Sequence, residues 1–245
     1  MFAASFCFDN FYIKEKRKVL KMFKERILYT KVSDFRADKY KIKTEIYRNR
    51  LGIMRVRKSP LLRDGWEHLD DLKRKEKLIE KQYSQYDVNV VKCIPKKDCI
   101  VFPYVEGKNL AELFGIYLSM NNERLINELV DTYIEKVGLL LDAKTEFKYT
   151  KEFKSVFGDI KFNHKQMTPN NPNIDLIFSN IILSKRGWTV IDYEWVFDFP
   201  IPINYILCRS IYLVLHENNR TDLVEKLIIE KLTTFINILN KAYSG

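Results

Sequence analysis

The pattern of apolar residues changes along the chain, from strand-type alternation in its first part to helical periodicity in its second. Three early stretches alternate as strands do, at residues 26–33, 40–49 and 52–59. Later stretches, at 109–120 and 122–143, carry apolar residues at helical spacing. A run of strands followed by a run of helices predicts an α+β architecture with a strand-rich lobe and a helix-rich lobe.

One predicted helix interrupts the strands of the first lobe. It covers residues 64–83, and its buried stripe consists of Leu69, Leu72, Ile79 and Tyr83. Two further strands, at 88–94 and 98–107, complete a small, mostly antiparallel sheet with one inserted helix. The lobes join near Glu106–Gly107. We therefore predict a first lobe at 26–106 and a mainly helical second lobe at 107–245.

The first 25 residues are predicted to form a helical extension. Val19, Leu20, Phe23 and Ile27 recur at helical spacing around the basic stretch 14–26. The net charge of +10 favours anionic partners. A solvated basic face is the ordinary interpretation of this helix, and peripheral contact with an anionic membrane stays open beside it. No nucleic acid is expected as a partner, because no stripe of mixed aromatic and basic residues can be assembled.

The cysteines and the hydropathy pattern indicate the cellular compartment. The cysteines form no C-x-x-C pair and, with the scattered histidines, show no zinc-ligand spacing. Unpaired cysteines in apolar strings are typical of core residues in a reducing compartment. No apolar run reaches the length of a membrane span, and the N-terminus lacks the basic region of a signal peptide. The predicted location is cytoplasmic.

Residues 175–195 carry polar side chains at the open end of a predicted β-hairpin. Asn180 begins the first strand, Asp192 ends the second, and Asp175 lies just outside them on a loop. An amide oxygen and a carboxylate suit Mg²⁺, which takes further ligands from water and phosphate. A third carboxylate can accept a proton from a hydroxyl nucleophile. Asp and Asn are also favoured at strand ends for their turn chemistry, so this stretch alone leaves both interpretations open.

The third predicted strand offers the cation that phosphoryl transfer needs on the nucleotide phosphates. Because side chains alternate along a strand, Lys58 faces the same way as the apolar Met54 and Val56. The opposite register would bury Arg55 and Arg57, which is costly for unpaired charges. Lys58 is therefore the predicted phosphate contact, and Arg57 is the alternative.

A carboxylate on the predicted helix provides a partner for this lysine. Glu76 lies between Leu72 and Ile79 at helical spacing, so it faces the apolar side, where a carboxylate requires a cation. We predict that Glu76 pairs with Lys58. A surface glutamate on a charge-rich helix is the alternative.

The segment that leads into the second lobe has backbone groups suited to a nucleotide base. An apolar strand breaks at Pro103, passes through Val105, turns at Gly107 and enters a helix capped by Asn109. Pro103 offers only its carbonyl, whereas Val105 offers both backbone groups, which a purine edge could use. An ordinary interdomain hinge is the alternative.

Taken in order, these residues resemble the protein-kinase-like superfamily, and within it the aminoglycoside-phosphotransferase and lipopolysaccharide-kinase type. Lys58 resembles the lysine of the third strand, Glu76 its helix partner, and Phe102 in "FPYVEG" the gatekeeper of the hinge. "DLIFSN" resembles the catalytic loop, and "IDYEW" resembles the metal-binding sequence of small-molecule kinases. Residues 173–202 are also similar to kinase-like modules found beside glycosyltransferases and methyltransferases in bacterial surface-polysaccharide assembly.

The resemblance implies a two-lobed kinase-like fold that uses ATP and Mg²⁺. Asp175 would be the catalytic base, Asn180 and Asp192 the magnesium ligands, and Glu194 a support for the metal site or substrate. The nucleotide site would consist of Lys58, Glu76, Phe102, Pro103 and Val105. The expected function is phosphoryl transfer to a hydroxyl of a small molecule or a glycan intermediate, with a glycosyltransferase or methyltransferase as a partner enzyme.

Two departures from the family pattern support an alternative, a pseudokinase that binds a nucleotide or a partner enzyme without turnover. No glycine lies between the first two strands, so residues 33–39 cannot form a Gly-rich phosphate loop. The family's histidine two residues before the catalytic aspartate is Asn173 here.

The stretch 145–173 has no counterpart in the minimal fold and is predicted to be polar and irregular. Two helices, at 205–216 and 221–243, are predicted to close the chain.

Overall fold

The computed structural model describes residues 24–143, 145–162, 164–185 and 187–232. They form a mixed α+β structure with an antiparallel sheet and helices, as the sequence predicts. The predicted N-terminal extension lies outside the described residues except for its last two.

The chain divides into two compact units. The first unit takes its described residues from the ranges 1–73 and 92–104, and the second from 74–91 and 105–245. Residues 74–91 lie within the predicted 26–106 lobe and group with the second unit. The chain leaves the first unit for the last time between Tyr104 and Val105.

Six strands lie between residues 26 and 103. They are β1 (Arg26–Val32), β2 (Ile42–Arg48), β3 (Met54–Pro60), β4 (Val88–Val90), β5 (Ile94–Pro95) and β6 (Ile100–Pro103). Five of them build the sheet of the first unit in the order β1-β2-β3-β6-β5, with antiparallel neighbours. The three strands predicted at 26–33, 40–49 and 52–59 are confirmed. Gly52, at φ 77°, closes the predicted turn between β2 and β3 by donating its N–H to the Asn49 carbonyl at 2.9 Å.

The remaining strands belong to the second unit. They are β7 (Lys108–Asn109), β8 (Thr145–Glu146), β9 (Met167–Thr168), β10 (Ile181–Ser184) and β11 (Gly187–Val190). A four-stranded sheet has the order β4-β11-β10-β7, and its central pair is the predicted hairpin, with Ile181 opposite Val190. The strand predicted at 88–94 is divided between the two units, because β4 pairs in parallel with β11 and β5 pairs with β6.

The α-helices of the described chain are α1 (Trp66–Asp70), α2 (Leu72–Tyr83), α3 (Leu110–Ser119), α4 (Glu123–Leu141), α5 (Lys151–Phe157) and α6 (Ile203–Glu217). The single helix predicted at 64–83 is therefore two helices separated at Asp71. A capping box starts α3: Asn109 Oδ1 accepts the Glu112 N–H at 2.8 Å, and the Glu112 carboxylate accepts the Asn109 N–H at 3.3 Å. Of the helix predicted at 221–243, the described part contains a π-helical segment at Glu225–Glu230.

The prediction that residues 145–173 are irregular is wrong, because this stretch contains α5. The Thr150 hydroxyl accepts the Phe153 N–H at 3.1 Å and caps the helix. The Phe153 ring packs against Phe147 at 4.9 Å and Phe157 at 4.9 Å between ring centroids. Aromatic residues separated by charged ones thus form a small apolar cluster of their own.

Buried aromatic and aliphatic side chains place the hairpin firmly in the second unit. Phe178, just before β10, lies 4.4 Å from Tyr133 of α4 and 6.1 Å from Phe114 of α3 between ring centroids. All three side chains are almost completely buried. The loop that carries Asp175 is therefore anchored to two helices by its own core residues. None of the helices in the described part of the chain is long and apolar enough to cross a membrane.

Candidate active site

Asp175, Asn180 and Asp192 belong to one hydrogen-bonded arrangement in the second unit. Asn180 Nδ2 donates to the backbone carbonyl of Asp175 at 3.1 Å. The backbone carbonyl of Asn180 accepts the N–H of Ile191, the residue before Asp192, at 3.0 Å. The structure thus brings the three predicted residues together at the open end of the hairpin. Their catalytic and metal-binding roles stay predictions.

The carboxylate of Asp175 is buried and oriented by the backbone. Asp175 is 6% exposed, and its Oδ2 accepts the N–H of Trp195 at 2.8 Å. A backbone N–H is a fixed donor, so this bond restricts the direction of the carboxylate. Asp175 is therefore held in one orientation, as a positioned proton acceptor requires.

Asn173 connects this loop to α2. It is completely buried, its Oδ1 accepts the N–H of Asp175 at 2.9 Å, and its Nδ2 donates to the Tyr83 hydroxyl at 3.4 Å. Asn173 also pairs with Val196 in an antiparallel bridge. Burial raises the pKa of Tyr83, and the negative charge of Asp175 adds to the rise, so the phenol stays neutral. The asparagine thus braces the loop that carries Asp175.

The two predicted metal ligands supply oxygen donors. Asp192 Oδ1 accepts the Glu194 N–H at 3.3 Å, and the Asn180 amide nitrogen donates to Asp175, which turns the amide oxygen the other way. Among the described residues, no group of three or more His, Cys, Asp or Glu side chains could hold a metal ion. One amide oxygen and one carboxylate fit Mg²⁺ that completes its shell with phosphate and water.

Three residues that the sequence analysis did not single out hold the backbone around Asp175. Lys75 Nζ donates to the Glu194 carbonyl at 2.7 Å, Arg209 Nη1 to the Ile174 carbonyl at 2.6 Å, and the Tyr133 hydroxyl to the Leu176 carbonyl at 2.6 Å. Lys75 had a sequence signal, because it lies on the apolar stripe of α2 beside Glu76. Arg209 and Tyr133 reach the loop from distant helices and had none.

In the first unit, Lys58 and Arg57 have different environments. Lys58 is 6% exposed, and its Nζ lies 5.9 Å from the ring centroid of Phe102, which is itself buried on β6. Arg57 Nε donates to the buried carboxylate of Glu45 at 2.9 Å, and Arg57 Nη1 lies 2.8 Å from Glu25. Arg57 is thus committed to two carboxylates of its own sheet region, whereas Lys58 faces the apolar side of β3.

The remaining predicted nucleotide residues are distributed over both units. Pro103 ends β6 in the first unit, and Val105 follows in the second, partly exposed. Glu76 belongs to the second unit and is 1% exposed, in agreement with its position on the apolar stripe of α2. The Lys58–Glu76 pair and the purine contacts stay predictions.

Comparison of the sequence with protein families and with curated proteins finds no match. Among solved structures, the chain is similar to the macrolide 2'-phosphotransferase MphH from Brachybacterium faecium, with 10% identity, a TM-score of 0.36, and coverage of 82% of this chain and 77% of that one. It is also similar to a macrolide 2'-phosphotransferase type I, with 10% identity, a TM-score of 0.40, and coverage of 90% and 81%. At this level of similarity, neither structure assigns a function to this chain.

Proposed function

We propose that this protein is an ATP- and Mg²⁺-dependent phosphotransferase that acts on a hydroxyl group. The observation that carries the proposal is the joint placement of Asp175, Asn180 and Asp192, linked through backbone and side-chain hydrogen bonds at one end of the hairpin. A proton acceptor beside two oxygen ligands is the combination that phosphoryl transfer to an alcohol requires.

In the proposed reaction, Asp175 positions the acceptor hydroxyl and takes its proton. The acceptor oxygen forms a bond to the terminal phosphorus of ATP, the bond from that phosphorus to the bridging oxygen breaks, and ADP leaves. A carboxylate has several acceptor sites, so Asp175 can receive the hydroxyl while it accepts the Trp195 N–H. Asn180 and Asp192 would hold Mg²⁺, which neutralises phosphate charge when bound. Lys58, with Glu76 as its partner, would contact the other phosphates.

The proposed acceptor is a sugar or a glycan intermediate. Trp195, whose N–H donates to Asp175, is followed by Phe197 and Phe199, and all three side chains are partly exposed. The Trp195 and Phe197 rings stack at 6.1 Å between centroids, and Phe197 lies 4.8 Å from Phe199. Partly exposed rings beside a base suit a hydroxyl-bearing molecule with an apolar ring face. A partner glycosyltransferase or methyltransferase belongs to the proposal through the sequence resemblance alone.

A specific observation keeps the pseudokinase as a second candidate. The connection from β1 to β2 contains no glycine and is closed by Ser33, whose N–H and hydroxyl both donate to the Ile42 carbonyl, at 3.0 and 3.1 Å. Its hydroxyl also accepts the Ile42 N–H at 3.0 Å. These bonds engage the Ser33 and Ile42 amides at the base of the connection. Without glycine, the backbone between them has less freedom to turn consecutive N–H groups towards phosphates.

The test compares the wild type with Asp175→Asn and Asp192→Asn, both close in size to the native residue. We expect Mg²⁺ and ATP together to raise the melting temperature of the wild type and of Asp175→Asn, and the rise to be smaller for Asp192→Asn. Phosphate release or transfer to a panel of sugars should be lost in both variants. Absence of a nucleotide-induced shift in the wild type would contradict the proposal, and a shift without any turnover would favour the pseudokinase.

A further inference from the structure

The peptide group between Glu194 and Trp195 is held at both ends. Its carbonyl accepts Lys75 Nζ at 2.7 Å, and its N–H donates to Asp175 Oδ2 at 2.8 Å. The carbonyl and N–H of a trans peptide point in opposite directions within its plane, so the lysine and the carboxylate bind at opposite edges of one rigid group. The orientation of the Trp195 N–H therefore depends on what holds the Glu194 carbonyl.

We propose that Lys75 is a positioning residue for the candidate base: it fixes this peptide group and thereby orients Asp175. The inference rests on the proposed function for its catalytic meaning, whereas its structural part can be tested without a nucleotide. In this proposal Lys75 acts on Asp175 through the shared peptide group.

The hydrogen bond from Lys75 to the Glu194 carbonyl is strong. An ammonium that donates to a carbonyl makes a charge-assisted bond, and 2.7 Å is short for a nitrogen donor. Lys75 is 7% exposed, so little water competes for either group. Hydrogen bonds in series polarise one another, so a cation on the carbonyl strengthens the N–H on the other side of the peptide as a donor. Lys75 thus strengthens the hydrogen bond from the Trp195 N–H to Asp175.

Glu194 also links Lys75 to Asp192, the candidate metal ligand. The N–H of Glu194 donates to Asp192 Oδ1 at 3.3 Å, while its carbonyl accepts Lys75. Two consecutive N–H groups flank the Glu194 carbonyl: that of Glu194 donates to Asp192, and that of Trp195 donates to Asp175. A loss of the lysine is expected to loosen both together.

Helix α2 makes Lys75 a rigid support for this peptide. Arg74, the residue before Lys75, donates to both carboxylate oxygens of Asp198 at 2.8 and 2.9 Å. The Tyr83 hydroxyl accepts a hydrogen bond from Asn173 Nδ2 at 3.4 Å. The helix is thus bonded to the segments on both sides of the candidate site. Lys75 lies between these two attachments, at the peptide that contacts the base.

The experiment measures hydrogen exchange of the Trp195 backbone amide by NMR. The variants are Lys75→Met, which keeps the length of the side chain without its charge, and Lys75→Arg, which keeps the charge. Lys77→Met is the matched control, because Lys77 lies on the same helix with an exposed side chain. Where Lys75→Met does not fold, Lys75→Gln takes its place. Amides of β10 and β11 serve as internal references within the same unit.

We expect Trp195 exchange to accelerate by about tenfold or more in Lys75→Met, by less in Lys75→Arg, and not at all in Lys77→Met, with the reference amides unchanged. Unchanged exchange at Trp195, or equal acceleration at the reference amides, would overturn the inference. With turnover established, kcat should fall about tenfold while the KM for ATP changes by less than about threefold. A missing nucleotide response in the wild type bears on the proposed function, and the exchange result bears on Lys75 itself.

Discussion

Asn173 Oδ1 accepts the backbone N–H of Asp175 at 2.9 Å, so a side chain two residues before the candidate base fixes the main chain of the base itself. The other end of the same amide donates to the buried Tyr83 hydroxyl at 3.4 Å. From the sequence, the asparagine counted against activity, because the kinase-like pattern that this stretch resembles has a histidine there. Its two hydrogen bonds show that the loop is braced by a different side chain.

Replacement of this asparagine by alanine should weaken both the fold and the site. Asn173→Ala leaves the buried Tyr83 hydroxyl and Asp175 N–H without this partner, so we expect the free energy of unfolding to fall by about 1–3 kcal/mol. Turnover should fall more than nucleotide affinity, because the base moves and the phosphate contacts do not. Urea denaturation and steady-state kinetics measure the two effects.

Asn170→Ala is the control, since Asn170 is exposed three residues earlier in the same loop. We expect it to leave stability and turnover close to those of the wild type. Equal behaviour of the two variants would show that Asn173 does not brace the loop.

The two basic residues of β3 should separate nucleotide binding from stability. Lys58→Met is expected to weaken the Mg²⁺- and ATP-induced rise in melting temperature by removing the predicted phosphate contact. Arg57→Met is expected to keep that response but to lower the free energy of unfolding by about 1–2 kcal/mol, because Glu45 loses its closest cation. Lys43, 3.3 Å from Glu45, limits that loss. Thermal shift with and without nucleotide distinguishes the two variants, and the reverse pattern would assign the phosphate contact to Arg57.

Gly107 should be intolerant of any side chain. Its φ is 143°, and an added Cβ would lie 2.5 Å from the Leu183 carbonyl oxygen and 2.7 Å from Ile182 Cγ2. Gly107→Ala would therefore push β10 away, and we expect a loss of about 3 kcal/mol or more in the free energy of unfolding. Gly52→Ala is the control: its φ is +77°, but an added Cβ meets nothing within 4 Å, so only about 1–2 kcal/mol of backbone strain is expected. Similar losses in urea denaturation would contradict the steric argument.

Local patterns in the sequence predicted the local structure well. Alternation located β1, β2 and β3, helical periodicity located α3, α4 and most of α6, and the hairpin predicted within residues 175–195 is formed by β10 and β11. The same patterns placed Glu76 on the buried face of α2 and Lys58 on the buried face of β3. In each of these cases the deciding interaction lies within a few residues along the chain.

What the sequence did not predict depends on contacts between distant residues. Strand β4 pairs in parallel with β11, so Val88 lies opposite Trp188, and no local signal distinguishes that pairing from membership in the first sheet. Helix α5 was missed because the rings that bury it are separated along the chain by charged residues. The brace from Asn173 to Tyr83 likewise joins residues from two separate elements. Long-range pairing of this kind follows from the whole fold rather than from a spacing pattern.

Two buried phenols predict how stability changes at alkaline pH. Burial raises the pKa of Tyr83 and of Tyr133 above the ordinary value of 10.0. Above about pH 10 the unfolded chain loses these protons while the folded protein keeps them, so the unfolded state binds fewer protons and stability must fall. Below that pH both states keep the protons, and the contribution is fully present. We expect a loss of about 1.4 kcal/mol per pH unit for each phenol.

Tyr133→Phe isolates one of these contributions. At pH 8 it removes the donor to the Leu176 carbonyl, so the free energy of unfolding should be about 1 kcal/mol lower than in the wild type. Above about pH 10 the variant lacks one of the two phenols, so its stability should fall less steeply and the two curves should converge. Tyr212→Phe is the control, because the Tyr212 side chain is 46% exposed in the second unit. Urea denaturation from pH 8 to pH 11 measures the slopes, and parallel curves for Tyr133→Phe and the wild type would show that Tyr133 does not control the alkaline loss.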